Sequence, residues 1–400
     1  MNRTAVRGEF GERAAAERLI GRHGSAADGP LLVCVAGLHG NEPSGVEALR
    51  RVLRRLDENR PAFRGELVGL AGNVPALERG LRYLDEDLNR IWTLDRVAAL
   101  EGIPRDGREA ACPLTAEARE QGRLMAALET VFRRAGGREV YFMDLHTTSS
   151  ESVPFATFSD SLRNRSFARS FPVPLVLGVE EELEGTLLDW IDHLGHVAVG
   201  LEGGAHRTPE SVVHLERAIW LALVSVGAVE LADVPEPDGL RRRLRRAAEA
   251  VPSLFEVVYR HGLREGDGFR MEPGFRNFER VEEGQLVARD RRGEIRAPES
   301  GRLFLPLYQD KGGEGFFLVR EVAPTWLVVS AVLRRLRLDV LARWLPGVRR
   351  HPERAESLTV HPRAARPILV KLFHLLGYRR ERPEDGRLVL TRRKEVAESG

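Results

Sequence analysis

Apolar positions fall into short continuous runs that alternate with longer stretches at helical spacing. Leu31–Ala36 is six apolar residues in a row behind Asp28-Gly29-Pro30, the pattern of a strand buried on both faces. It runs into the glycine-rich stretch Gly37–Gly45, after which Val46, Leu49, Val52, Leu53 and Leu56 recur at helical spacing. Glu66–Ala71 is a second strand, ending at Gly72-Asn73. Thr115 opens a long helix to about Arg134. Glu139–Leu145 is a third strand, stopping at His146-Thr147-Thr148-Ser149-Ser150, and His196–Leu201 a fourth, stopping at Glu202-Gly203-Gly204. Leu187–Leu194 and Thr208–Val226 read as helices, the latter with Pro209 in its first turn, where a missing N–H costs nothing. Strands alternating with helices predict an α/β fold, a mainly parallel mixed sheet with helices on both faces.

The pattern changes at Asp233-Val234-Pro235-Glu236-Pro237-Asp238-Gly239, a proline-rich acidic linker. Four units are expected: a first domain over 1–232, a linker and basic helix over 233–252, a small β domain over 253–323, and a basic, mainly helical region over 324–400. The β domain is read from short runs at Phe255–Tyr259, Gln285–Ala288, Glu294–Ala297, Arg302–Leu307 and Phe316–Val319. The last region is read from helices over Trp326–Leu345 and Ile368–Leu376, with a hairpin about Asp385-Gly386.

Composition narrows the class. With 42% hydrophobic and 30% charged residues the chain is globular, not disordered or fibrous. Its 61 Lys+Arg nearly balance 59 Asp+Glu. Residues 331–400, however, hold 17 Lys+Arg against 8 Asp+Glu, so a net of +9 sits on a remainder of −7. Only Lys311, Lys371 and Lys394 are lysines, and the 58 arginines read first as a coding bias. Two cysteines, Cys34 and Cys112, exclude a disulfide framework. The first residues lack a signal-peptide core, and the longest apolar stretch, Ala218–Val229, falls short of the ~20 residues of a membrane span. A cytoplasmic protein with no membrane partner is expected. Aromatic residues are too sparse for a base-stacking platform, so nucleic acid is not an expected partner.

Three polar clusters follow three predicted strands: His39/Glu42, Asp144/His146 and Glu202. In an open α/β sheet the carboxyl ends of parallel strands share one rim, where ligands bind. His39, Glu42 and His146 then form a His₂Glu set, the donor type of catalytic zinc, with Asp144 on the same strand face as His146 to orient it. A surface-loop histidine beside an unrelated acid is the plainer reading of His39 taken alone. The string Arg82–Arg90 is either an ordinary charged turn or an anion site, with Arg90 gripping a carboxylate and Asn89 supplying an amide.

Taken together, Gly-Leu-His39-Gly-Asn-Glu42, Arg82-Tyr-Leu-Asp-Glu-Asp-Leu-Asn89-Arg90-Ile-Trp, Asp144-Leu-His146-Thr-Thr-Ser and Gly-Leu-Glu202-Gly-Gly resemble the aspartoacylase/succinylglutamate desuccinylase family, in order and spacing, over roughly residues 30–205. Those are zinc hydrolases related in fold to the zinc carboxypeptidases. The resemblance implies one Zn(2+) per chain on His39, Glu42 and His146. It also implies a substrate carboxylate on Asn89 and Arg90, a carbonyl polarised by Arg82, and Glu202 as acid/base. The 253–323 region resembles the family's β-barrel-like C-terminal domain, which shapes the substrate channel. Two departures stand out. The mammalian members carry a further arginine about ten residues before the catalytic glutamate, where this chain has Asp192. Tyr308 is the candidate for a tyrosine that closes over substrate, with a packed β-domain tyrosine as the alternative.

The expected function is a zinc-dependent amidohydrolase acting on an N-acyl amino acid or a similar small carboxylate-bearing molecule. A zinc carboxypeptidase acting on peptides is the enzyme alternative, and a non-catalytic zinc- or carboxylate-binding module the alternative of another class. Glycines 203 and 204 are read as a close approach to substrate or as a tight turn. His193, His196, His206 and His214 are not expected to be ligands, and a homo-oligomer is left open. For the basic tail a solvated face is the first reading, and docking on the acidic remainder of the chain or on another subunit the second.

Overall fold

A computed structural model of the chain describes residues 3–25, 28–102, 115–338, 342, 345–352, 354, 356–361, 367–384 and 387–392. Cys112, the Asp385-Gly386 turn and the basic pair Arg393-Lys394 lie outside the described residues.

One sheet of 11 strands forms the frame. Its members are β1 (Leu19–Gly24), β2 (Leu31–Ala36), β3 (Glu66–Ala71), β4 (Val140–Thr148), β5 (Phe155–Thr157), β6 (Leu175–Leu177), β7 (Val197–Ala205) and β8 (Leu254–Gly262). The short strand β9 (Arg270–Met271) lies apart from it, while β10 (Arg280–Val281) joins it. After β11 (Leu286–Asp290) and β12 (Gly293–Arg296), β13 (Gly301–Phe304) and β14 (Glu314–Glu321) complete it. The order is β1-β3-β2-β4-β7-β5-β6-β8-β14-β13-β10. Its centre, β3-β2-β4-β7, is parallel.

The continuous apolar run of β2 is explained by where alternate residues go. Leu32, Cys34 and Ala36 pack with the helices Ser44–Asn59 and Pro209–Ser225. Leu31, Val33 and Val35 face the helices Ala116–Arg134 and Leu187–His193. Both faces are therefore covered, and no polar alternation survives. Truncating any one of these leucines to alanine would cost about 2–5 kcal/mol. Burial pushes the Cys34 thiol far up, so it stays a protonated, inert core group.

The N-terminal helix Arg3–Arg18 and β1 carry no strong apolar signal and were not expected from the pattern. Arg18 explains their attachment: it is 4% exposed, donates to the carbonyls of Ala71 and Gly72, and pairs with Glu120. The strands of 253–323 do not stand apart from the first domain. β8 pairs with β6, and β14, β13 and β10 extend the same sheet, while β12-β11-β9 form a three-stranded layer of their own.

The region after Pro324 corrects the mainly helical expectation. Its helix Thr325–Arg335 ends well before Leu345, and Arg337 has φ 53°, outside any right-handed helix. Beyond it β15 (Val348–Arg350), β16 (Ser357–Val360), β17 (Tyr378–Glu384) and β18 (Arg387–Arg392) form an antiparallel sheet in the order β15-β16-β18-β17, beside the helix Pro367–Leu375. Strands of three and four residues are too short for periodicity to reveal. The β17–β18 pair has the register of the expected hairpin. The region docks on its own chain, because Arg334 and Arg379 reach the buried Asp160, and Arg379 also reaches Glu256. No helix among the described residues is long and apolar enough to cross a membrane.

Candidate active site

The polar clusters do meet at the carboxyl rim of the parallel strands. After β2 the chain turns at Gly37 (φ 70°) and passes the helix Val74–Arg79 so tightly that a Cβ on Gly40 would lie 2.0 Å from the carbonyl carbon of Ala76. That approach, open to glycine alone, sets His39 and Glu42 at the mouth of the helix Ser44–Asn59. His146, near the end of β4, is the register partner of Glu202 on β7. His39, Glu42, Arg82, Asn89, Arg90, His146 and Glu202 all line one cavity of about 120 Å³. Residues 305–307 together with Gln309, Gly312 and Glu314 form its other wall.

His39, Glu42 and His146 are buried, and one donor atom from each lies within 4.8 Å of the others. Glu42 spans the two rings, with Oε1 2.9 Å from His39 Nδ1 and Oε2 3.1 Å from His146 Nδ1. Burial pushes the Glu42 carboxyl up, but the two histidines outweigh it and hold it well below the usual range. The far nitrogen of each ring faces an acid: His39 Nε2 lies 3.0 Å from Asp87 Oδ1, and His146 Nε2 lies 2.9 Å from Asp144 Oδ2. Two imidazoles and a carboxylate converging through Nδ1, Nδ1 and Oε, each ring backed by a carboxylate, is a donor set that fits zinc. Asp144 holds the backing position expected of it. Asp87 was missed: it sits among Asp85, Glu86 and Asp87, and nothing in the string singles it out.

Asp87 serves twice, since Oδ2 also accepts from Arg82 at 3.0 Å. Arg82 stands 3.6 Å from Glu42 Oε1, with a buried Nε that has no partner among the described residues. Asn89 Oδ1 accepts from the Leu187 amide at 2.8 Å, so only its NH₂ remains to serve a ligand. Arg90 is tied to Glu314 of β14 at 2.7 Å, and Glu314 also binds Arg260. The whole Arg82–Arg90 loop is pinned from below by Glu117. This carboxylate, with no exposure, accepts the amides of Leu84, Asp85 and Glu86 and the side chain of Asn73. From above, Lys311 donates to the carbonyls of Tyr83 and Leu84.

Glu202 keeps a buried Oε2 without a partner among the described residues. Burial, with Glu42 and Asp144 nearby, pushes its pKa up to about 8 against the lowering by His146 and Arg82. Glycines 203 and 204 do not approach the cavity. Gly203 packs under Leu215 and Ser211, and Gly204 turns the chain at φ 119°. Tyr308 is also turned away: its hydroxyl donates to the Glu272 carbonyl and accepts from the Phe275 amide. None of His193, His196, His206 and His214 lines the cavity. His206 bonds Thr147 Oγ1, and His214 the Gly203 carbonyl.

Comparison with known proteins agrees with this frame. The model of the succinylglutamate desuccinylase/aspartoacylase catalytic domain matches residues 28–217. A succinylglutamate desuccinylase of Burkholderia cenocepacia is 35% identical over 130 residues, 32% of this chain and 33% of its own length. The chain thus spans about a third of the first curated relatives. One of Pseudomonas paraeruginosa is 28% identical over 286 residues, 67% of this chain and 76% of its own. A crystal structure of a succinylglutamate desuccinylase/aspartoacylase from Rhodobacter sphaeroides superposes with TM-score 0.53 at 21% identity, covering 74% of this chain and 87% of that one. A succinylglutamate desuccinylase from Chromobacterium violaceum gives 0.51 at 18% identity, covering 79% and 98%. At such identities the structural likeness speaks for a shared fold. Residues 28–217 thus carry the pattern of a succinylglutamate desuccinylase/aspartoacylase catalytic domain.

Proposed function

We propose that the protein is a zinc-dependent hydrolase of linear amides that removes the acyl group from an N-acyl amino acid or a similar small carboxylate-bearing amide. The observation that carries this reading is the convergence of His39, Glu42 and His146 with Glu202 and Arg82 on one cavity. Zinc held by His39, Glu42 and His146 would supply positive charge for the carbonyl oxygen and an acidified water. Glu202 takes the proton of the attacking water and passes it to the leaving amine. A carboxyl pushed up to about 8 suits both roles near neutral pH, and a nearby dication would draw it lower. Arg82, fixed by Asp87, faces the oxyanion as charge develops there. Asn89 and Arg90 hold the substrate carboxylate, Arg90 through the planar fork that lysine lacks.

The wall from Leu305 to Gln309 favours a small substrate over a peptide in an open cleft. The test pairs metal content with substrate range. Purified protein should hold about one zinc per chain, and His39→Ala and His146→Ala should each lower that content. Release of free amine from N-acyl amino acids, but not from dipeptides, is the expected activity. Unchanged metal in both histidine variants would refute the ligand assignment.

A further inference from the structure

Resting on the deacylase reading, we infer that the cavity wall beside Asn89 and Arg90 takes an uncharged hydrocarbon side chain on the amino-acid half of the substrate. The preferred substrates are then N-acyl derivatives of aliphatic amino acids.

The cavity lining divides by chemistry. His39, Glu42, Asp144 and His146 form its charged cluster, whereas Val179, Leu183, Leu188, Leu305 and Phe317 bring hydrocarbon. Val179, Leu183, Leu305 and Phe317 belong to one hydrophobic cluster, so they make a continuous wall. Leu188 extends it toward the reacting groups. A Cβ on Gly200 would lie 2.9 Å from Leu188 Cδ1, and Gly200 precedes Glu202 by two residues on the same face of β7. With no side chain at Gly200, a substrate held at Glu202 meets Leu188 directly. The polar groups lining the same region bind one another: Thr157 donates to Glu180 Oε1 at 3.2 Å, and Thr186 to Oε2 at 2.8 Å.

The wall and the proposed carboxylate clamp are built from the same two segments. In the first, the Leu187 amide donates to Asn89 Oδ1 at 2.8 Å. Gly185 packs so closely there that a Cβ would lie 2.3 Å from the Arg90 carbonyl oxygen, and its own carbonyl accepts from the Trp92 amide at 2.9 Å. In the second, Phe317 lies on β14 with Glu314, the partner of Arg90 at 2.7 Å. A carboxylate held by Asn89 and Arg90 is bonded to the substrate's α-carbon. The side chain on that carbon is therefore the group brought nearest the wall, while the acyl group lies beyond the scissile amide. Moving its methylenes from water to this wall is favourable, whereas a charged end would lose its hydration there without return.

The experiment compares kcat/KM of the zinc-loaded full chain along two series. One is Nα-acetyl-alanine, -aminobutyrate, -norvaline and -norleucine, with Nα-acetyl-lysine and Nα-acetyl-glutamate beside them. The other lengthens the acyl group on alanine from acetyl to propionyl and butyryl. A buried methylene is worth about fourfold, so norleucine should exceed alanine by at least roughly tenfold. Lysine, which is norleucine with a charged end, and glutamate should both fall below norleucine. The gain per methylene should be smaller along the acyl series. Leu183→Asn, which sets an amide into the wall, should lower the norleucine-to-alanine ratio at least about fivefold. A flat side-chain series overturns the inference, as does lysine or glutamate at or above norleucine, a steeper acyl series, or an unchanged ratio in Leu183→Asn. Should the variant not fold, the two wild-type series decide. If no member of either series is hydrolysed, the deacylase reading fails, and calorimetry with the same acetyl amino acids takes over. Tighter binding of norleucine than of alanine, lysine and glutamate then upholds the inference, and equal or absent binding overturns it.

Discussion

Replacing Asp160 by asparagine is the sharpest test of how the C-terminal region is held. Asp160 is 1% exposed, and three arginines converge on it: Arg165 of the helix Leu162–Ala168, Arg334 of the helix Thr325–Arg335, and Arg379 of β17. All three are at most 5% exposed. Arg379 would keep Glu256, and Arg334 would keep the Asp160 carbonyl, but the charge that balances the cluster would be gone. Breaking a buried pair in this way costs about 3–5 kcal/mol, a large part of a net stability of about 5–15 kcal/mol. The pH dependence follows from the same cluster. Burial raises the Asp160 carboxyl, yet the three guanidinium groups outweigh it and hold it well below the ordinary 3.8. The stabilisation is therefore complete above pH 3.8 and fades as the pH falls toward the depressed value. Urea unfolding followed by tryptophan fluorescence should show the full loss at pH 7 and a smaller one at pH 3. A cost below about 1 kcal/mol at pH 7, or the same cost at both pH values, would refute the reasoning.

Three further outcomes are expected. Asp87→Asn removes the negative charge and leaves His39 or Arg82 facing an NH₂ in place of an acceptor, so zinc affinity measured by competition with a chelator should fall about 10- to 100-fold with the fold retained. Glu117→Gln leaves some of the Leu84–Glu86 amides without an acceptor, costing about 1–3 kcal/mol in unfolding free energy and raising KM because the Arg82–Arg90 loop loosens. Glu180 is pushed from 4.5 to about 7 in the fold, so its ionisation removes stability as the pH rises between those values. At 1.36 kcal/mol per unit the loss is about 3 kcal/mol, and Glu180→Gln should flatten the stability profile over pH 4–8.

The parallel centre of the fold was legible because strands covered on both faces leave continuous apolar runs. Leu31–Ala36 and Glu66–Ala71 have the bounds read from the pattern, and the polar residues after β2 and near the ends of β4 and β7 could be assigned to one rim. What stayed hidden had a local signature of something else. Glu117 and Glu180 look like the ordinary acids of a helix's first turn, although each turns inward to organise a loop or line the cavity. Asp87 is indistinguishable in sequence from Asp85, which caps the amide of Ala116, and from Glu86, which pairs with Arg96. Only the three-dimensional path of the loop separates them. The short strands β15 and β16 carry too few residues for a period, and the buried roles of Arg18, Arg334 and Arg379 were masked by an arginine-rich background.

The proposed reaction depends most directly on Glu202, and one measurement tests it: amine release from N-acyl amino acids by wild type and Glu202→Gln, with the zinc content of each sample determined alongside. Loss of at least about 100-fold in turnover, with zinc and unfolding midpoint unchanged, is the predicted result. Turnover within a few-fold of wild type at equal zinc would contradict the assignment of the acid/base and the proposed reaction with it.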